Sequence, residues 1–520
     1  MATDNSSSGD PVAAGTKEDR LFINGEFVAS VSGKRFQVIN PTTEEVSASV
    51  YEAEVEDVDL AVDAAKAAFP AWSALSAEAR CEFLVKIADE LEKYEDLFIH
   101  AETITMGAPQ QGSRFAIGMA KRYLKYYANK AIDVTGETSL NTPEYINLSV
   151  RQPYGVCGGI VPWNAPLFMV VNKVGPALAA GNTMVLKSSE KSPLPAILFA
   201  SLCRKVGLPK GVLNILNGFG RPCGEAISKH MDIRKISFTG SVATGRAVQK
   251  AANESNLKNV SLELGGKSPL LVFDDAPFEK AVQSATFSIL YNSGQVCMAS
   301  TRIYVQQGVA PKFIEALRES MKQLGVPGDP ALPDTKRGPQ VDKLQFGRVL
   351  SYLDHAKERG YDIILGGDKV GNKGYFMDAT IVRDVPEDDK LVREEIFGPV
   401  VVVNTFTDDE DEVLRRANDT EFGLYASVFT KDISRAMRVA KALEAAAVGV
   451  NCASPYMAID MPMGGWKQSG MGGRDFSKHC LEDWTELKSV FISLYLEQGS
   501  NWNQSWFQFC VKDRIYICRI

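Results

Sequence analysis

The constraint that most narrows the folds open to this chain is a strand–turn–helix rhythm that begins near residue 154. Short apolar runs at 156–161 and 183–187 flank a helical stretch at 166–180. Further runs at 211–216 and 236–238 each end at a glycine-containing turn. Strands joined through helices return in the same direction and pair in parallel, with the helices covering the sheet. A second series of this kind spans about 268–451, with strands predicted at 303–305 and 400–406. The expected class is therefore α/β.

The remaining segments fit around that frame. Residues 21–28 read as a hairpin turning at Asn24-Gly25, and 58–69 and 77–94 carry apolar residues at helical spacing. Residues 144–152 alternate as a strand does, between two βα regions, which suggests an arm leaving the main body. A chain of 520 residues is too long for one core and predicts two or three domains. Residues 1–20, rich in Ser, Gly, Ala and Asp, read as a flexible leader without the apolar run of a signal peptide. No run of 18 apolar residues predicts a membrane span, and a cytoplasmic location is expected.

Composition excludes several function classes. The net charge of -7 leaves no basic excess to neutralise phosphates, so no nucleic-acid partner is expected. Nine cysteines, an odd number without C-x-x-C pairs, read as reduced thiols rather than a disulfide framework or zinc site. The four histidines have no helical metal spacing, and no metal is expected.

Four segments carry candidate chemistry. Asn164, between Pro162-Trp163 and Ala165-Pro166 at a strand end, has an amide able to donate to a developing oxyanion; alone it is equally a turn former. Glu263, between Leu262 and Leu264, should be desolvated and its pKa raised towards that of a general base; alone it is equally a paired structural acid. Cys297, after Gly294-Gln295-Val296, sits where a turn can present sulfur to a cleft, although most lone cysteines pack in cores. Glu394-Glu395-Ile396-Phe397-Gly398-Pro399 would in isolation be a solvated acidic face.

In this order, and together with Lys187-Ser188-Ser189-Glu190, Phe238-Thr239-Gly240-Ser241, Asn451 and Gly464-Gly465-Trp466-Lys467-Gln468-Ser469-Gly470, these segments resemble the aldehyde dehydrogenase superfamily over roughly 21–494. The resemblance implies a Rossmann-like NAD-binding domain (21–131 and 154–265) and an α/β catalytic domain (266–466). It also implies a small β oligomerisation arm (132–153 and 481–494), leaving 495–520 as a tail of unknown role. Homodimers or homotetramers are expected.

The resemblance further implies that Cys297 attacks an aldehyde carbonyl, with Asn164 and the Cys297 N–H holding the oxyanion. Glu263 then activates water to hydrolyse the thioester, and Lys173 with Asp475 relays protons. Glu263 favours hydrolysis over acyl transfer to coenzyme A, whose enzymes usually lack that glutamate. The implied cofactor contacts are Val161, Trp163, Lys187, Glu190, Gly220, Phe238, Ser241, Leu264, Gln345, Glu395 and Phe397. A carboxylate at Glu190 would accept ribose hydroxyls and repel a 2′-phosphate, so NAD is expected over NADP. The alternative is a catalytically silent structural or binding member.

Some positions depart from common relatives. Asn172 stands where many members have Trp, and Asp475 where many have Glu. Asn172, Phe168, Met169, Tyr291, Val296, Met298 and Met463 are expected to line the substrate channel. Aromatic and Met side chains there suit an apolar or aromatic aldehyde. The loop 452–463 is one residue longer than usual, and 473–479 with 484–488 resemble aminoaldehyde-oxidising members.

Overall fold

The computed structural model describes residues 18–494. Most of the sequence-assigned leader and the whole tail 495–520 lie outside the described residues. Two compact units are present, one of residues 18–134 and 153–485, the other of 135–152 and 486–494.

The larger unit contains two sheets. In the first, five parallel strands lie in the order Leu213–Asn217, Thr183–Ser188, Val156–Ile160, Lys235–Thr239, Asn259–Glu263. The first four of these are buried at every position, which is why they read as continuous apolar runs rather than alternating ones. The hairpin Leu21–Ile23 and Glu26–Val28 closes one edge, its turn made by Asn24 (φ 53°) and Gly25 (φ 77°). The chain steps outward from Val156–Ile160 in one direction, then returns to Lys235–Thr239 on the other side. Such a reversal opens a crevice at the carboxyl ends of the strands, where α/β sheets take ligands.

The second sheet runs Asp362–Leu365, Thr380–Arg383, Val400–Phe406, Ser300–Gln306, Ser268–Val272, Tyr425–Phe429, Ala447–Val450. All its pairings are parallel except that of the first two strands. Its strand Ser268–Val272 follows Glu263, the end of the first sheet, after only four residues.

Between the strands Val156–Ile160 and Thr183–Ser188 runs the helix Pro166–Ala179, which starts on a proline whose missing N–H costs nothing there. It is buried almost all round, so its polar residues Asn172 and Lys173, both 1% exposed, must find partners. Among the described residues no helix is long and apolar enough to cross a membrane.

The smaller unit is a three-stranded sheet in which Tyr145–Pro153 lies between Thr485–Ser493 and Thr138–Ser139. Its second segment starts later than the 481 assigned on sequence. Leu481 and Trp484 are 0% and 2% exposed in the core of the larger unit, so packing claims them first. Leu487 and Phe491 are exposed.

One buried cation ties the end of the larger unit to its first sheet. Lys235 Nζ donates to Asp483 Oδ2 (2.8 Å), Ser261 Oγ (2.8 Å) and Asn259 Oδ1 (3.0 Å). It also lies 5.2 Å from the Trp484 ring centroid. Asp483→Ala strands that charge. The expected loss is about 3 kcal/mol, read as a lower urea midpoint at unchanged slope.

Candidate active site

The helix Phe278–Leu290 ends in a tight reversal, Tyr291–Gly294, where Asn292 (φ 49°), Ser293 (φ 55°) and Gly294 (φ 72°) are all left-handed. At Gly294 a Cβ would meet Gly398 O at 2.1 Å, so only glycine fits. The reversal aims the following residues at the first sheet. Asn292 Nδ2 donates to Asn164 O (2.8 Å), and Asn164 Nδ2 donates to Gln295 O (2.9 Å). Gln295 in turn accepts from Val341 N through Oε1 (2.9 Å). These bonds lace the loop of Cys297 to the strand end of Asn164. Asn292 lies ahead of the sequence motif, which begins at Gly294; its signal is that Asn292 and Gly294 are residues that tolerate left-handed backbone.

Glu263, at the end of its strand, meets this loop. Cys297 Sγ donates to Glu263 Oε1 at 3.6 Å, and Glu263 is 8% exposed. Burial, then the neighbouring Asp475 charge, pushes the Glu263 carboxyl up to about 8, against the opposing pull of Lys173. Burial pushes the Cys297 thiol well above its ordinary value, with Glu263 and Glu395 adding to it. At neutral pH the thiol therefore keeps its proton, and the nearest group that can take it, once ionised, is Glu263.

Lys173 Nζ reaches Asp475 Oδ2 at 3.1 Å and Oδ1 at 3.4 Å. Asn172 Nδ2 donates to the same Oδ2 at 2.8 Å, and Tyr127 Oη donates to Asn172 Oδ1 at 3.0 Å. Asn172 is thus not a channel wall, as expected on sequence, but a fully buried strut of Asp475. Met463 is not in the wall either. It is buried, and its backbone exchanges hydrogen bonds with Asp475 (2.8 and 2.7 Å). Both misplacements have one cause: residues adjacent in sequence to a cleft can face away from it on a buried helix or bridge.

A cavity of about 970 Å³ ends at Cys297 and Asn164, and Phe168, Met169, Tyr291, Val296 and Met298 line it. Glu102, Phe115, Phe287 and Tyr456 also line it; sequence reasoning missed Glu102, Phe115 and Tyr456 because they come from segments distant in the chain, and Phe287 because it lies on the helix ahead of the cysteine motif.

Glu395 Oε1 accepts from Gly266 N at 3.0 Å, and burial pushes its carboxyl up to about 7. A Cβ at Gly265 would lie 2.3 Å from Glu395 Oε2, which explains the glycine. Gln345 Nε2 donates to Ile396 O (3.2 Å) and Phe397 O (2.8 Å), so it holds this loop, and the Phe397 ring meets Trp163 edge-on at 5.3 Å. Ser241 caps the helix Val242–Asn253, accepting from Thr244 N at 3.3 Å, and is exposed at that helix N-terminus. Lys187 Nζ donates to Ser188 O (2.7 Å) and Gly218 O (2.6 Å) and stands 3.8 Å from Glu190 Oε2. Gly220 faces open space, while Val161, Phe238 and Leu264 are buried beneath.

The geometry gives a readout without substrate. Iodoacetamide alkylation of Cys297, followed by mass spectrometry, should be slow at pH 7 and rise about tenfold per pH unit towards pH 9. Glu263→Gln removes one of the causes that raise the thiol pKa, so alkylation at pH 9 should be faster in that variant.

The architecture and site can be set against known proteins. The aldehyde dehydrogenase family model matches residues 27–490. An aldehyde dehydrogenase of Emericella nidulans is 45% identical over 475 residues, covering 91% of this chain and 95% of that protein. Aldehyde dehydrogenase 1A1 of Mesocricetus auratus is 42% identical over 481 residues, again 91% and 95%. The solved NAD+ complex of aldehyde dehydrogenase from Bacillus cereus is similar with a TM-score of 0.90 at 39% identity, covering 93% of this chain and 98% of that one. With such coverage in sequence and fold, and with Cys297 and Asn164 lining one cavity and Glu263 3.6 Å from the sulfur, this chain belongs to the aldehyde dehydrogenase family.

Proposed function

We propose that the protein oxidises an aldehyde to its carboxylic acid with NAD, through a thioester on Cys297. The observation that carries this is the Cys297 Sγ–Glu263 Oε1 contact of 3.6 Å at the inner end of the cavity, beside Asn164.

Glu263 takes the thiol proton as Sγ bonds to the carbonyl carbon, and the carbonyl π electrons move onto oxygen. Asn164 spends one amide hydrogen on Gln295 O. The second is free to meet that oxygen, since an Asn amide carries two donors. Losing such a donor costs about 2.7–4 kcal/mol of barrier. NAD, when bound, would supply the hydride acceptor that conversion of the adduct into a thioester requires. Glu263 gives the thiol proton up to solvent and is again a carboxylate. It then removes a proton from water as the water oxygen attacks the thioester carbon. The C–S bond breaks, the acid leaves, and the departing sulfur takes that proton back from Glu263 as the thiol.

The candidate cofactor residues fit the dinucleotide by their chemistry. Glu190 and Glu395 offer carboxylate acceptors to ribose hydroxyls, and the exposed helix start at Ser241 suits a pyrophosphate. The Glu190 carboxylate would repel a 2′-phosphate, which supports NAD over NADP. The seven described cysteines are all free thiols, which supports a reducing compartment such as the cytoplasm. The exposed Leu487 and Phe491 on the small sheet support its use as an oligomer arm in a dimer or tetramer.

NADH formation from aldehyde should vanish in Cys297→Ala; unchanged turnover would sink the mechanism and favour a silent family member. Glu263→Gln should slow the NADH burst, for want of a base at the thiol, and slow the turnover that follows it, for want of a base at water. Hydrolysis-limited turnover should rise with pH through about 8 as Glu263 ionises. Asp475→Asn removes a charge that raises the Glu263 pKa, so that profile should move to lower pH. Glu190→Ala should narrow the kcat/KM gap between NAD and NADP; an unaltered ratio would refute its role.

A further inference from the structure

The adjacent pair Glu394-Glu395 stands out in the sequence, yet the proposed chemistry uses only the second glutamate. The structure gives the first a different neighbour. Glu394 is extended (φ -100°, ψ 152°), and in extended chain successive side chains leave on opposite sides. Glu395 turns to Gly266 N, whereas Glu394 Oε2 accepts from Tyr352 Oη at 2.6 Å. That length marks a charge-assisted bond. Burial, and then Glu394 itself, pushes the Tyr352 phenol up to about 12, so it stays a donor throughout the neutral range.

Tyr352 belongs to one face of the helix Lys343–Glu358. Gln345, Arg348, Tyr352 and His355 follow at steps of three, four and three residues, which sets them in one row. Every member of the row bonds to the segment 389–397. His355 Nε2 lies 2.8 Å from Asp389 Oδ2, Arg348 Nη2 donates to Glu395 O at 3.0 Å, and Gln345 closes the far end at Ile396 O and Phe397 O. The approach is close, since a Cβ on Gly398 would meet Val349 Cγ2 at 2.7 Å. None of these bonds falls on the Glu395 carboxylate. Among the described residues that group accepts only from Gly266 N, through Oε1, which leaves Oε2 for a ligand. A brace that grips the backbone of Glu395 and the neighbours on both sides aims the carboxylate without consuming it.

We propose that Tyr352 and Glu394 are positioning residues for Glu395. Their bond fixes the direction in which its carboxylate meets the ribose beside the nicotinamide. This rests on the proposed use of NAD and extends it to a pair that acts through Glu395. The competing reading is a bond that only steadies the short helix Lys390–Arg393, whose Lys390 Nζ lies 5.3 Å from the Tyr352 ring centroid.

The test is calorimetric binding of two ligands to the full chain. ADP-ribose ends in that ribose, and ADP stops short of it. The wild-type chain is expected to bind ADP-ribose about tenfold more tightly, the worth of a hydrogen bond to a charged group. Glu395→Gln should remove most of that advantage. Tyr352→Phe and Glu394→Ala should each cut it at least about threefold. Their affinity for ADP should stay unchanged, which also shows that both variants are folded. Because all three residues serve one contact, Tyr352→Phe should cost nothing further in the Glu395→Gln background.

An advantage that Glu395→Gln abolishes but Tyr352→Phe and Glu394→Ala leave intact overturns the positioning role. So does an equal loss for ADP and ADP-ribose, or a loss that persists in the Glu395→Gln background, since either marks a structural bond. No advantage of ADP-ribose in the wild-type chain, or one untouched by Glu395→Gln, overturns the assignment of Glu395 to the ribose and the positioning role with it.

Discussion

Four residues, Leu264-Gly265-Gly266-Lys267, carry the chain from the last parallel strand of one sheet to a central strand of the other, and the site depends on how closely they pass their neighbours. A side chain on Gly266 would lie 2.3 Å from Cys297 O, and one on Gly265 would strike the Glu395 carboxylate. Bare backbone here lets the cysteine loop, the strand end of Glu263 and the loop of Glu395 share one crevice. Glu395 is tied to this crossing through Gly266 N. A methyl group at Gly266 would strike the Cys297 carbonyl, which is backbone and cannot swing aside, whereas one at Gly265 would push the Glu395 carboxylate away from Gly266 N.

Closeness brings dryness, and dryness sets the chemistry. Burial raises both the Glu263 carboxyl and the Cys297 thiol, so the pair rests protonated and neutral near pH 7. The surrounding charges then tune the pair in opposite directions. Asp475 raises Glu263 and Lys173 lowers it. Their own geometry is held by Asn172, whose amide reaches across to Asp475 while Tyr127 anchors its carbonyl. Asp475 thus accepts from both Lys173 and Asn172, so the two residues that the resemblance set apart meet in one network.

Much of the frame was legible in the sequence because it rests on local rules. The parallel strands announced themselves as unbroken apolar runs, and the strand Val400–Phe406 falls where the pattern placed it. The hairpin at Asn24-Gly25 and the Ser241 cap follow from single-residue backbone preferences. Residue order also pointed to Cys297, Glu263 and Asn164 together, because a family pattern survives in motifs that can be read linearly.

The chain alone thus pointed to the α/β class, to four of the parallel strands of the first sheet, and to Cys297, Glu263 and Asn164 as candidates for nucleophile, base and amide donor. Only the tertiary structure decided which of them touch. Asn172 reaches Asp475 rather than the channel, Met463 is bridged to Asp475 through its backbone, and Glu102, Phe115 and Tyr456 join the wall from remote segments. The physical reason is that periodicity reports whether a side chain is buried, whereas its partner is chosen by the packing of elements far apart in sequence. The same holds for the pKa values: a leucine on each side of Glu263 foretold dryness, but Asp475, Lys173 and Cys297 reach it only through the fold.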